Sequence, residues 1–303
     1  MKCVGVSKVD IIIQIGTDEQ KEGIRQELEV IEKVTQEIGL LDDFRQIIVA
    51  SDFESTVNAL EGIDTYRATR GIDQGVNAIA RVTKMPDGYA IVLSPLIYTK
   101  AHDSQTRFFV FFHELSHLIN KKRFSSIPED NRANSAYLHS LYFLFDEYDS
   151  DRFAISLCEQ SFKEKSEFWE AFITSEILGF RDFIKDRRYY DSLLAEINSF
   201  RDHASVDVFL KNTQPYWDPM AIHLAHFFAF VHEYPDRALV SDVLDSPFVN
   251  AKTLALMHYF EIKENNHIAD LSDGIEVITD FMTNFGMRFE PQGEGLYYHV
   301  LDI

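Results

Sequence analysis

The amino-acid sequence predicts an α+β protein: a mixed N-terminal part built on a small sheet, then a mainly α-helical C-terminal half. Three observations predict it. Short β-branched runs bounded by turn residues lie almost wholly before residue 100. From Ser104 onward, apolar residues recur at three- and four-residue spacing, the helical period. The 303 residues, 46% hydrophobic and 26% charged, have the composition of an ordered chain with a sizeable core. At about 150 residues per domain the length suggests two regions. The change of pattern puts a soft boundary near residue 160, giving 1–160 and 161–303.

Residues 11–15 form a β-branched run that reads as a strand. Residues 19–38 set Ile24, Leu28, Ile31, Val34 and Ile38 on one face of an amphipathic helix, with Gly39 as its stop. Residues 45–50 read as a buried strand. Ser51 or Asp52 caps the next helix, whose apolar face is Phe53, Val57 and Leu60. Residues 77–82 and 89–93 read as two strands around the turn Met85-Pro86-Asp87-Gly88, and Pro95 ends the second. Helices are expected at 106–120, 132–160, 166–186 and 189–200, then at 206–212, 220–232, 238–244, 252–261 and 274–284. The tail at 287–303 closes with a strand at 296–301. Phe143, Phe145, Phe153, Phe168, Trp169 and Phe172 sit at helical spacing and read as core.

Charge and cysteine usage exclude several classes. Lys and Arg number 29 against 49 Asp and Glu, a net charge of -20, with no basic run to offset it. Such a chain repels phosphate backbones and anionic membrane surfaces, so direct nucleic-acid binding is not expected. Cys3 and Cys158 cannot form a disulfide framework and fit a reducing compartment. The N-terminus carries Lys2 and Lys8, but Asp10 interrupts its apolar stretch, so it lacks a signal-peptide core. The longest uncharged stretch, 220–231, is too short to span a bilayer. The expectation is a soluble cytoplasmic protein.

One motif carries chemistry: His113-Glu114-Leu115-Ser116-His117. Residues four apart stack one turn above each other on a helix, so both histidines can offer a ring nitrogen to one ion. Glu114, one position on, points beside that ion and can reach a water there. The pattern alone occurs by chance, and a histidine pair on a helix is often a satisfied core pair. A catalytic zinc also needs a third protein ligand. Thirty residues after His117 comes Asp146-Glu147-Tyr148-Asp149-Ser150-Asp151, with Glu147 and Asp151 again four apart. Glu147 can complete a His, His, Glu site, with Asp149 beside it as the alternative. Asp151 can accept the free N–H of a ligand histidine.

Together these segments resemble the gluzincin metallopeptidases. Glu147-Tyr-Asp149-Ser-Asp151-Arg-Phe153-Ala154 is similar to the E-x-E-A-(N/D)-x-F-A motif of the ImmA/IrrE family. The approach is similar too: a strand through Gly88–Ser94, then Arg107-Phe108 leading into His-Glu-Leu. The resemblance covers roughly Asn77 to Leu157. Asp149, Ser150, Ser116 and Phe112 depart from the usual Glu, Ala, Gly and Ala, which suggests a distant branch. No helix-turn-helix segment accompanies the motif, and the similar Ste24-like membrane peptidases fit less well.

The resemblance implies a minimal zincin-like catalytic core, a small sheet plus active-site helices, over 1–160. Residues 161–303 would be a helical regulatory or partner-binding region. It implies a cytoplasmic Zn2+-dependent endopeptidase in which His113, His117 and Glu147 hold the metal and Glu114 activates the water. The expected partner is a protein substrate. In this family that is often a transcription regulator, cut in response to stress or mobile-element signals, and an acidic enzyme would favour a basic target.

Strand 89–93, as a sheet edge, would hold an extended substrate by strand addition. Tyr137, His139, Tyr142, His223 and His226 are the candidates for stabilising an oxyanion. His223 and His226, three apart in an apolar helix, read first as packing. Cys3 reads as incidental, and His232, His258, His267 and His299 have no partner pattern. The rival reading is a non-catalytic metal sensor or protein-binding module that uses the helical half. A hydrolase of non-peptide amides is the third.

Overall fold

Aliphatic runs without clean alternation suit strands covered on both faces, and the sheet is built from such runs. The computed structural model describes residues 9–38, 43–70, 76–99, 103–124, 132–162, 167–203, 206–235, 249–268, 270–292 and 295–300. It is an α+β arrangement, predominantly helical with a small mixed sheet. The chain divides into two compact units. The first comprises Met1–Arg70, Gln74–Ile119 and Phe153–Trp169; the second comprises Gly71–Asp73, Asn120–Arg152 and Glu170–Ile303.

In the first unit, β1 (Asp10–Ile13) is followed by α1 (Asp18–Ile38), β2 (Phe44–Val49) and α2 (Phe53–Glu61). Two short strands, β3 (Thr69–Arg70) and β4 (Val76–Asn77), pair with each other. The hairpin β5 (Ala80–Met85) and β6 (Gly88–Leu93) follows, then α3 (Leu96–Thr99) and α4 (Ser104–Arg123). The sheet order is β1-β2-β6-β5; β1, β2 and β6 run parallel and β5 antiparallel. Ile48, Ala90 and Val92 pack on one face with Phe53 and Val57 of α2. Their alternating neighbours Ile47, Val49, Ile91 and Leu93 are also buried, as two-sided coverage requires. Asp52, not Ser51, caps α2: its carboxylate accepts the Ser55 N–H at 3.0 Å. The hairpin turn needs Gly88, whose φ is +151° and where a Cβ would lie 2.3 Å from the Asp43 carbonyl oxygen.

Two expectations change here. The strand foreseen at 77–82 starts at Ala80, because Val76–Asn77 belongs to the separate β3–β4 ribbon. The strand foreseen as a sheet edge, 89–93, is interior: β6 lies between β2 and β5, and the edge strands are β1 and β5. A tight hairpin places its second partner alongside the first, so β5 covers the side that β6 would otherwise expose.

The second unit is helical. It takes residues from α5 (Arg132–Ser161), α6 (Glu167–Lys185), α7 (Arg187–His203), α8 (Val206–Glu233), α9 (Ala251–Asn265) and α10 (Ile275–Met282). An antiparallel hairpin, β7 (Met287–Gln292) and β8 (Gly295–Val300), follows. Its core joins Leu141, Phe145, Tyr148, Leu193, Leu224, Phe228, Phe260 and Phe281. Expected helices at 206–212 and 220–232 are one continuous helix, α8, with Pro215 and Pro219 inside. An interior proline costs about 3 kcal/mol. Burial of Met220, Leu224, Phe227, Phe228, Phe230 and Val231 on α8 outweighs two of them, at about 1.5–3 kcal/mol per side chain. The helix expected at 238–244 lies outside the described residues.

Candidate metal centre

Helix α4 is capped at its start by Asp103, whose carboxylate accepts the Thr106 N–H at 2.8 Å. Lys121, Lys122 and Arg123 fill its last turn, where the helix dipole favours cations. Between these ends Phe108, Phe109, Phe111, Phe112, Leu115 and Leu118 are buried, so the helix runs through apolar surroundings. Arg107 ties it to α1 through Glu27, with contacts at 2.7 and 2.6 Å. Phe111 meets Phe44 of β2, with ring centroids 6.5 Å apart. Gln105, Thr106 and Asn120 are buried polar residues of this helix, as are the motif residues His113 and Glu114, each only 9% exposed.

His113 and His117 stack one turn apart with perpendicular rings and Nε2 atoms 3.0 Å apart. Two imidazole lone pairs at that distance require a proton or a cation between them. A tetrahedral ion with bonds of about 2.1 Å holds its ligands about 3.4 Å apart. A shift of a few tenths of an ångström therefore converts the pair into a chelate. Glu147, on α5, joins them: one ligand atom from each of His113, His117 and Glu147 lies within 4.8 Å of the others. These three residues can hold a metal ion. Two imidazoles and one carboxylate are a donor set that suits a borderline divalent cation.

The neighbouring acids have distinct partners. Asp149 is engaged away from this group by Asn120 Nδ2 at 3.1 Å and Arg123 at 3.4 Å, and burial raises its pKa. Asp151 is fully buried, and its Oδ2 pairs with Nδ1 of His226 on α8. One ligand atom from each of His113, Asp151 and His226 also lies within 4.8 Å of the others. Its Nε2 lies 3.6 Å from Glu147 Oε2. Phe180 lies parallel to the His226 ring at 5.3 Å. Burial by itself lowers the His226 pKa, but Asp151, then Glu147 and Glu176, outweigh it and leave it at about 9. Glu176 is raised to about 7, chiefly by burial.

The histidine pair that read as packing therefore divides. His223 is held by the Pro219 carbonyl at 2.7 Å and stacks on Phe183 at 3.7 Å, a packing role. Burial and the His226 charge lower its pKa to about 4. Of the other oxyanion candidates, the Tyr142 hydroxyl accepts the Leu271 N–H at 3.1 Å, and His139 is exposed. Only the fold could single out His226, since 75 residues separate it from Asp151.

Glu114 completes the group on α4. Its Oε2 accepts the backbone N–H of Val82, on the edge strand β5, at 2.8 Å. Among the described residues, no helix is long and apolar enough to cross a membrane. No protein-family model, curated protein or solved structure matches the chain.

Proposed function

We propose that this chain is a zinc-dependent endopeptidase of the ImmA/IrrE type, with a zincin-like core, acting on a protein substrate in the cytoplasm. The observation that carries the reading is the convergence of Glu147 on the two motif histidines, with the Glu114 carboxylate one residue from His113. A structural His, His, Glu site has no need of Glu114. Zinc, when bound, would supply Lewis-acid polarisation of the scissile carbonyl and acidify the attacking water. Glu114 takes the water's proton and returns it to the departing amine. His226, oriented by Asp151 and beside Glu147, is the candidate donor to a developing oxyanion. A basic regulator suits the net charge of -20.

One observation favours a second reading. His226 Nε2 stands beside Glu147 and is a potential fourth donor. A centre closed by His226 would be a structural or sensing site.

Two measurements test the proposal. Elemental analysis should give about one zinc per chain, sharply reduced in His113→Ala and Glu147→Ala. Glu114→Gln should keep the zinc and lose cleavage of a fluorogenic peptide library. Cleavage retained in Glu114→Gln removes the general base. Absence of zinc from the wild-type protein, even after supply, removes the mechanism.

A further inference from the structure

The edge strand does more than bound the sheet. The Ser94 N–H bonds to the Ile79 carbonyl at 2.8 Å, and β5 pairs with β6 from Ala80↔Leu93 to Met85↔Gly88. In an antiparallel ladder the backbone groups of alternate residues face the partner strand. Residues 79, 81, 83 and 85 therefore turn their N–H and C=O toward β6, and Ala80, Val82 and Lys84 turn theirs outward. An outward N–H on an edge strand ordinarily waits for water or for another strand. At Val82 it is met by Glu114 Oε2 at 2.8 Å. Both residues are buried, Val82 at 6% and Glu114 at 9% exposure. A buried N–H paired with a carboxylate is a strong contact, because leaving either group unpaired is costly. One carboxylate oxygen is thus fixed by the sheet, and the other is left to handle a proton.

We propose that the backbone N–H of Val82 is a positioning group for the catalytic base, holding the Glu114 carboxylate at the angle from which it takes a proton. The inference rests on the peptidase reading above. No side chain at position 82 is needed for it, so a survey of side-chain substitutions would pass over the position.

The test removes the N–H. Val82→Pro deletes the donor at an edge position without removing a hydrogen bond of the β5–β6 ladder. It should keep the zinc content, leave KM within about twofold and lower kcat about tenfold or more. The conservative Val82→Ala, which retains the N–H, should restore kcat. An unchanged kcat in Val82→Pro overturns the proposal. So does a raised KM with kcat intact, which would assign this edge to substrate pairing instead.

Amide hydrogen exchange keeps the idea testable if Val82→Pro does not fold. The Val82 amide should be protected in the wild-type protein. It should exchange about tenfold faster in Glu114→Ala, while Arg81 and Thr83, which face β6, stay unchanged. A Val82 amide that exchanges freely in the wild type, or is unaffected by Glu114→Ala, overturns the contact and the proposal with it. If the wild-type protein binds zinc and cleaves nothing, the peptidase reading fails, and exchange at Val82 still reports separately on the contact.

Discussion

Breaking the Asp151–His226 pair should be the most costly polar change in the second unit. Asp151 has no exposed surface and His226 is nearly buried, so neither charge can fall back on water. Against burial, which lowers it, Asp151 and to a lesser degree Glu147 and Glu176 raise the His226 pKa from 6.5 to about 9. At about 1.36 kcal/mol per unit, that shift corresponds to roughly 3 kcal/mol. Breaking a buried ion pair by removing one partner costs about 3–5 kcal/mol, which agrees. The sign follows from linkage. A histidine raised in the folded state contributes fully below pH 6.5, and the contribution fades as pH rises through about 9. Metal-free Asp151→Asn should therefore be destabilised by about 3 kcal/mol at pH 6, and by little above pH 9.5.

The assay is urea unfolding with chelator present, followed by Trp217, which packs edge-on against Phe285 of the second unit, in a Trp169→Phe background. Asp151→Asn, His226→Gln and the double variant form a cycle that isolates the coupling. A coupling below about 0.5 kcal/mol, or one that does not change between pH 6 and 9.5, would refute the reasoning.

Two further outcomes are expected. His223 has its pKa lowered to about 4, so its contribution is full above pH 6.5 and is lost as pH falls through about 4. His223→Gln should remove roughly 3 kcal/mol of the wild-type loss of unfolding free energy between pH 7 and 4, and an unchanged acid slope would contradict it. Gly88→Ala would drive a Cβ to 2.3 Å from the Asp43 carbonyl oxygen at a φ of +151°. It should lower Tm by roughly 5–10 °C, which a thermal melt reads directly.

Local geometry made much of the metal centre legible. A four-residue spacing on a helix puts two side chains on one face whatever surrounds it, so the approach of His113 and His117 followed from sequence. The same spacing placed Glu147 and Asp151 together on α5. Choosing Glu147 over Asp149 needed the fold, because both lie on one helix and the choice depends on which direction meets Asn120 and Arg123. The continuity of α8 was hidden by Pro215 and Pro219. These signal a break locally, but the packed side of the helix overrides the signal.

Sequence by itself determined the α+β class, the helix carrying the motif and the placing of His113 and His117 on one face of it. Each depends on hydrogen bonds and side-chain directions within a few residues, and that physics repeats in any chain. Tertiary structure alone decided that β5 and not β6 is an edge strand, that Val82 meets Glu114 across 32 residues and that His226 meets Asp151 across 75. Those contacts depend on which surfaces are buried together. A lone histidine in an apolar helix looks the same in sequence whether a phenylalanine or a carboxylate lies opposite.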